Sequence, residues 1–251
     1  MDKKIVIGKQ IKKMRENIGL TQEELAKKLD IPRPSVSQIE AGHRKLTPSE
    51  LEKLSRIFEI SIEELLNPEE FKKEVRKLKI RGNLPHFNKE IFKQTLLYIL
   101  IKCGARPNVG KTVLYKLLYF CDFNYYELYE KPLTGATYRK INYGPAPCEF
   151  DEIIEEMKKK KQIQEVHSEY YGQLQIKYLP LVETDLSKLT AEQKEIIDRV
   201  IANLSHLDAK TISDYSHEDI PWKSTKDKDI IDYELVFYRT VPYSVRKYSE
   251  E

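Results

Sequence analysis

A chain of 251 residues with a net charge of only +3 is long enough for one large domain or two modest ones, and too nearly neutral to coat nucleic acid along its whole length. Hydrophobic residues make up 40% and charged residues 33%, so a core can form beneath a heavily charged surface. The mean hydropathy of -0.58 comes with no apolar run near the roughly 18 residues that span a bilayer, and "MDKKIVIGKQ" lacks the apolar stretch of a secretory leader. The cysteines Cys103, Cys121 and Cys148 are widely spaced and in no metal-ligand pattern. A reduced, cytoplasmic protein with no membrane partner is expected.

Residues 5–66 contain five short helical patterns separated by turn signals. "IGKQIKKMRENIG" is the first, ended by Gly19 in a C-cap position. Thr21 caps the second, and Glu24 three residues on completes a capping box. The interruption "DIPRP" carries two prolines, which cannot continue a helix interior. A third helix then runs to Gly42, with Ser35 expected as its cap. The fourth, "TPSELEKLSRIFE", has Thr47 as cap, Pro48 at the first helical position and Glu50 at the third. "SIEELL" is the fifth, stopped by Asn67-Pro68.

The segment 67–88, "NPEEFKKEVRKLKIRGNLPHFN", reads as a charged linker. Two helices follow, "KEIFKQTLLYILIKCG" and the aromatic-rich "GKTVLYKLLYFCDFNYYELY". "ATYRKINYGPAP" predicts a strand leading into a Gly-Pro turn, and "CEFDEIIEEMKKKKQ" a charged helix. "IQEVHSEYYGQLQIKYLP" alternates like a hairpin turning near Gly172. "TAEQKEIIDRVIANLSHL", capped by Thr190 with Gln193, is an amphipathic helix, and "AKTISDYSHEDIPW" a short helix with its exit. The last twenty or so residues carry several tyrosines and no assignable pattern.

Two short helices joined by a tight turn make a helix-turn-helix, whose second helix enters the DNA major groove. The five-helix frame resembles the lambda-repressor-like (XRE, or Cro) family on "GLTQEELAKKLDIPRPSVSQIEAG" and "LEKLSRIFEISIEELL". Placed by position in that motif, Gln22 is expected to donate to a phosphate from a helix N-terminus. Arg33, Ser37 and Gln38 are expected to face the groove, Arg33 suiting guanine and Gln38 adenine. Ser35, Arg44 and Lys45 are placed for phosphates beside the recognition helix. Pro34 departs from the pattern, because many relatives carry a polar or basic residue there. Operator DNA, bound by a homodimer on half-sites about 10 base pairs apart, is the implied partner.

Enzymatic readings fail one by one. "CGARPNVGKT" invites a phosphate-binding loop, but that loop needs four residues between its first glycine and GK[ST]. Five lie between Gly104 and Gly110, and Pro107 removes a donor. No HExxH is present, the five histidines are scattered, and His217 in "SHEDIPW" is read as a surface or capping residue. No catalytic residue, metal or cofactor is expected.

Three segments of the second half resemble the Panacea (SocA-like) domain of antitoxins: "KTVLYKLLYFCDFNYYELYEKPLTG", "ATYRKINYGPAPCEFDEI" and "LDAKTISDYSHEDIPW". The resemblance implies neutralisation of a toxin by direct protein binding. Leu114, Leu117, Leu118 and Phe120 read as core, Tyr143-Gly144-Pro145 as a turn and Trp222 as a packing anchor. Tyr119, Phe123, Tyr125, Tyr126 and Tyr129 form an aromatic band larger than one helix face can bury, and so a candidate toxin interface. Core packing is the equal alternative. The fold class expected is mainly α, a five-helix lambda-repressor-like domain (1–66) followed, after the linker, by an α+β Panacea domain (89–251) with a small antiparallel sheet. The function expected is that of an antitoxin that also represses its own operon. A prophage-type repressor whose second domain dimerises or senses a ligand is the alternative.

Overall fold

The computed structural model describes residues 3–58, 60, 62–67 and 85–246. The chain divides into two compact units, Met1–Ile80 and Arg81–Glu251. Most of the segment read as a linker lies outside the described residues.

The first unit contains α1 (Lys3–Asn17), α2 (Gln22–Leu29), α3 (Arg33–Glu40), α4 (Pro48–Phe58) and α5 (Ile62–Leu66). Their apolar faces close over Ile11, Leu25, Leu29, Val36, Ile39, Leu54 and Leu65, all buried. Both halves of the α2 capping box are formed: the Thr21 N–H donates to Glu24 Oε2 at 2.7 Å, and the Glu24 N–H to Thr21 Oγ1 at 3.2 Å. Thr47 and Glu50 repeat the arrangement before α4. The cap of α3 differs from the sequence reading. Its N-cap is Pro32, with no side-chain cap, and Ser35 lies inside the first turn. Pro34 falls at the second helical position, where a missing N–H costs nothing because the first-turn donors lack intrahelical partners anyway. Gly8 has a role the periodicity did not reveal. A Cβ there would lie 2.4 Å from the Ile39 carbonyl oxygen and 2.6 Å from that of Glu40, so only glycine lets α1 cross the end of α3 this closely.

The second unit is built around α7 (Lys111–Tyr129), preceded by α6 (Lys89–Ile99), which ends in a π-helical turn, Leu100–Gly104. Then come a hairpin β1 (Tyr138–Ile141) and β2 (Gly144–Pro147), α8 (Phe150–Lys159), and a second hairpin β3 (Ile163–Tyr170) and β4 (Gln173–Pro180). α9 (Ala191–Leu204), α10 (Ala209–His217), α11 (Ile220–Ser224) and a 3-10 turn, Tyr233–Tyr238, complete it. Among the described residues the expected small antiparallel sheet is two separate two-stranded ones. The second turns at Tyr171-Gly172, both at positive φ (47° and 74°), as a type I′ hairpin turn requires.

α7 packs against α9, α10, β2 and the 3-10 turn. Leu114, Leu117, Leu118 and Phe120 are buried, as their spacing predicts. One expected turn moves. In the first hairpin Ile141 pairs with Gly144 and Lys140 with Pro145, so Asn142-Tyr143 form the turn and Gly144-Pro145 already belong to β2. Gly144, at φ +92°, makes that start possible: a Cβ there would be 2.4 Å from Ser216 Oγ and 2.8 Å from Lys116 Cε. The described end of the presumed linker, 85–88, is packed rather than free. Asn88 caps α6 through the Ile91 N–H at 3.1 Å and donates its own N–H to the Thr134 carbonyl at 2.8 Å.

Candidate nucleic-acid interface and partner-binding domain

In the first unit, burial of one face of α3 decides what its other face offers. Val36 and Ile39 point inward, which leaves Arg33, Pro34, Ser37 and Gln38 exposed. The three residues assigned to base edges therefore lie on one accessible helix face, with Lys45 exposed and Ser35 half-buried. Arg44 is already engaged, its guanidinium donating to Glu50 Oε1 at 2.8 Å. This ion pair and the Thr47 N–H hold the Glu50 carboxyl below its usual range against the opposing effect of burial.

Gln22 is the first residue of α2, as expected, but its amide is turned inward. Nε2 donates to Glu40 Oε2 at 2.9 Å. An amide nitrogen carries two protons, so one is committed to Glu40. Glu40 is buried and also accepts from Arg15, at 2.5 Å from Nε and 3.1 Å from Nη2. Arg15 Nη1 reaches the Leu20 carbonyl at 2.6 Å. These contacts tie α1, the start of α2 and the end of α3 together, and fix the angle at which α3 is presented. The bond to Glu40 pushes the Arg15 guanidinium above its ordinary value. Sequence reasoning missed Arg15, yet a signal existed: it follows the core residue Ile11 by four positions, on the same helix face.

Loss of a bidentate base contact costs about 1–3 kcal/mol and relaxes one position of the site. Arg33→Ala and Gln38→Ala are expected to lose that much on specific DNA and much less on random DNA. Gln22→Ala is expected to weaken both alike. Fluorescence anisotropy on the two DNAs checks this; equal losses on both for all three variants would sink the division of roles.

In the second unit the three segments quoted for the Panacea resemblance meet in space. Gly144 of β2 lies against both Lys116 of α7, fully buried, and Ser216 of α10. His217 is stacked on Trp222 with ring centroids 4.1 Å apart, and Lys140 Nζ lies 4.1 Å from the same ring centre. Trp222 is thus an anchor between the hairpin and α10, and His217 is a half-buried packing residue rather than a surface one. Burial, and then the charge of Lys116, pull the His217 pKa down. The GKT loop belongs to the scaffold. A helix precedes it, Asn108 donates to the Ser205 and Leu207 carbonyls, and the buried Lys111 pairs with Asp151 at 2.9 Å.

The aromatic band divides, which corrects the sequence reading. Tyr119 and Phe123 are fully buried, Tyr125 and Tyr126 half-buried, and Tyr129 exposed. The first two leave the candidate interface because a second layer covers them. Phe123 stacks on Tyr233 at 4.3 Å, and the Tyr119 hydroxyl donates to Asp219 at 2.8 Å. Two other buried acids organise this layer. Asp122 accepts from the Thr134 N–H at 2.6 Å and the Tyr138 hydroxyl at 2.8 Å, yet burial outweighs its donors and pushes its carboxyl up to about 6. Glu127 accepts from Arg239 at 3.1 Å and from Ser244 at 2.5 Å.

Residues 11–65 match the family described as Helix-turn-helix, and residues 114–223 the family described as Antitoxin SocA-like, Panacea domain. The chain joins a helix-turn-helix domain to a Panacea domain. Over 67 residues it is 36% identical to the HTH-type transcriptional regulator ImmR of Bacillus subtilis (strain 168), a match covering 27% of this chain and 53% of ImmR. The chain therefore spans about half the length of that relative. A chain of the SinR protein/SinI protein complex is 29% identical, covering 37% of this chain and 92% of that one, with a TM-score of 0.24. The Panacea match includes most of α7, both hairpins, α8, α9, α10 and most of α11, and so contains the Lys116–Gly144–His217–Trp222 meeting point. Among the described residues no helix is long and apolar enough to cross a membrane.

Proposed function

We propose that the chain is the non-catalytic antitoxin of a toxin–antitoxin pair, working in the cytoplasm. The Panacea domain binds and neutralises a protein toxin, and the helix-turn-helix domain, as a homodimer, binds the operator of the pair's own operon. The observation that carries the reading is the coupling in one chain of a SocA-like antitoxin domain with a helix-turn-helix whose Arg33, Ser37 and Gln38 are exposed together. Arg33, Ser37 and Gln38 read base edges; Ser35, Lys45 and the N-terminus of α2 at Gln22 engage phosphates, and Arg44 does so while held by Glu50.

The reading assigns each activity to one unit, and the two pieces can be expressed separately beside the product of the neighbouring open reading frame. A fragment from Arg81 to Glu251 keeps the packed 85–88 segment and is expected to rescue growth without binding operator DNA. A fragment ending near Asn67 is expected to bind operator DNA and give no rescue. Rescue by the N-terminal piece would refute the assignment. A neighbouring product without toxicity would favour the prophage-type repressor instead.

A further inference from the structure

The C-terminal end of α7 leaves the core carrying aromatic surface. Tyr125 and Tyr129 lie with ring centroids 4.7 Å apart, and Tyr129 is 37% exposed. On the next side of the helix Tyr126 packs against Phe237 at 6.0 Å and donates its hydroxyl to Glu234. The segment after Phe237 adds Tyr238, 71% exposed, and Val241, 89% exposed. Other exposed apolar residues are aliphatic, such as Ile101 and Leu186, or sit at the tip of the second hairpin, as Tyr171 does; single surface residues of this kind are common.

This surface is acidic. Glu130, Glu192, Asp232 and Glu234 are all exposed. Glu234, Asp232 and Glu130 add to burial in raising the Tyr126 phenol to about 12, and Glu192 adds to burial in raising that of Tyr125. Arg246 pairs with Glu130 at 3.0 Å, and Lys131 follows Glu130 in the chain; the other three carboxylates show no ion pair to a cation among the described residues. Four carboxylates around tyrosines repel the phosphates of DNA and of an anionic membrane alike. The chemistry that complements them is a protein surface rich in lysine and arginine. Tyrosine at the centre supplies contact area and residence time, and acidic groups around it steer a basic partner and raise its association rate.

We infer that the exposed aromatic end of α7, with Tyr238, Val241 and the carboxylates around them, is the surface on which the Panacea domain holds a basic protein partner. The inference rests on the antitoxin reading, which makes that partner the toxin. It narrows the aromatic band to its outer members and adds a segment the sequence left unassigned.

The test uses the full chain and the product of the neighbouring open reading frame as probe, with binding kinetics by surface plasmon resonance. Tyr129→Ala combined with Tyr238→Ala is expected to weaken binding at least about ten-fold, chiefly through faster dissociation. Glu130→Lys combined with Glu192→Lys is expected to slow association by about ten-fold at low salt, the gap closing as salt screens the charges. Tyr171→Asn, at the 88% exposed tip of the second hairpin, is expected to change neither rate. Tyr238→Ala alone, a change confined to the surface, repeats the test if the double variant melts early. Unaltered binding in both double variants, with the unmodified chain binding the probe, would overturn the surface and leave the antitoxin reading intact. Faster association after charge reversal would overturn the basic partner. No binding by the unmodified chain would overturn both.

Discussion

Arg239→Ala is expected to cost the second unit about 3–5 kcal/mol, the typical loss when one member of a buried ion pair is removed and its partner stays behind. Arg239 and its carboxylate partners Asp219 and Glu127 have side chains wholly shielded from solvent. The guanidinium meets Asp219 with two parallel bonds, Nε to Oδ1 at 2.8 Å and Nη2 to Oδ2 at 2.5 Å, and Nη1 spans Asn124 Oδ1 at 2.9 Å and Glu127 Oε2 at 3.1 Å. Without it, Asp219 keeps only the Tyr119 hydroxyl, and Glu127 only the Ser244 hydroxyl and two backbone N–H groups, among the described residues. Domains are stable by only about 5–15 kcal/mol in total, so the variant approaches its unfolding threshold at 37 °C. Arg239→Lys is expected to recover little, because an ammonium cannot make the paired bonds to Asp219 and reach Glu127 as well. Urea denaturation of the full chain measures this: the transition of the second unit shifts to lower urea while that of the first does not. A loss below about 1 kcal/mol, the scale of an exposed pair, would show that water reaches the cluster.

Glu40→Ala is expected to remove operator binding by unfolding the first unit, although Glu40 is buried away from the exposed face of α3. The substitution strips Arg15 of its two contacts to that carboxylate and Gln22 of its acceptor. The cost is again about 3–5 kcal/mol, and here it falls on a small unit with a small core, where the margin is narrower. Glu40→Gln keeps an acceptor and is expected to be milder. Circular dichroism melting with mobility shift on operator DNA separates the outcomes. Operator affinity within about three-fold of the original in Glu40→Ala, at an unchanged melting temperature, would show that Arg15 finds another partner. In both variants the unit that is not altered serves as the internal control.

How much of this was legible beforehand depended on range along the chain. The capping boxes at Thr21–Glu24 and Thr190–Gln193 form as read, because a capping box is complete within four residues and answers to local chemistry. The exposed face of α3 was legible for the same reason: Val36 and Ile39 state which side is apolar, and Arg33, Ser37 and Gln38 follow from 3.6 residues per turn. Ser35 is not the cap, since proline's preset φ lets the helix begin at Arg33, three residues before the start a Ser35 cap would give.

Tertiary structure alone decided the rest. Helical spacing shows where apolar residues lie on α7 and says nothing of how many sides will be covered. Tyr119 and Phe123 are buried because residues a hundred or more positions away, Asp219 and Tyr233, close over them. The C-terminal segment had no readable period because the side-chain contacts that place it reach back to distant elements. Ser244, Val245 and Arg246 all donate to Glu127, and Arg239 is held by groups from α7 and from the turn after α10. Such contacts appear only once the chain has closed loops of a hundred residues, whose entropy grows merely with the logarithm of their length, so they are common in folds and leave no periodic trace in sequence.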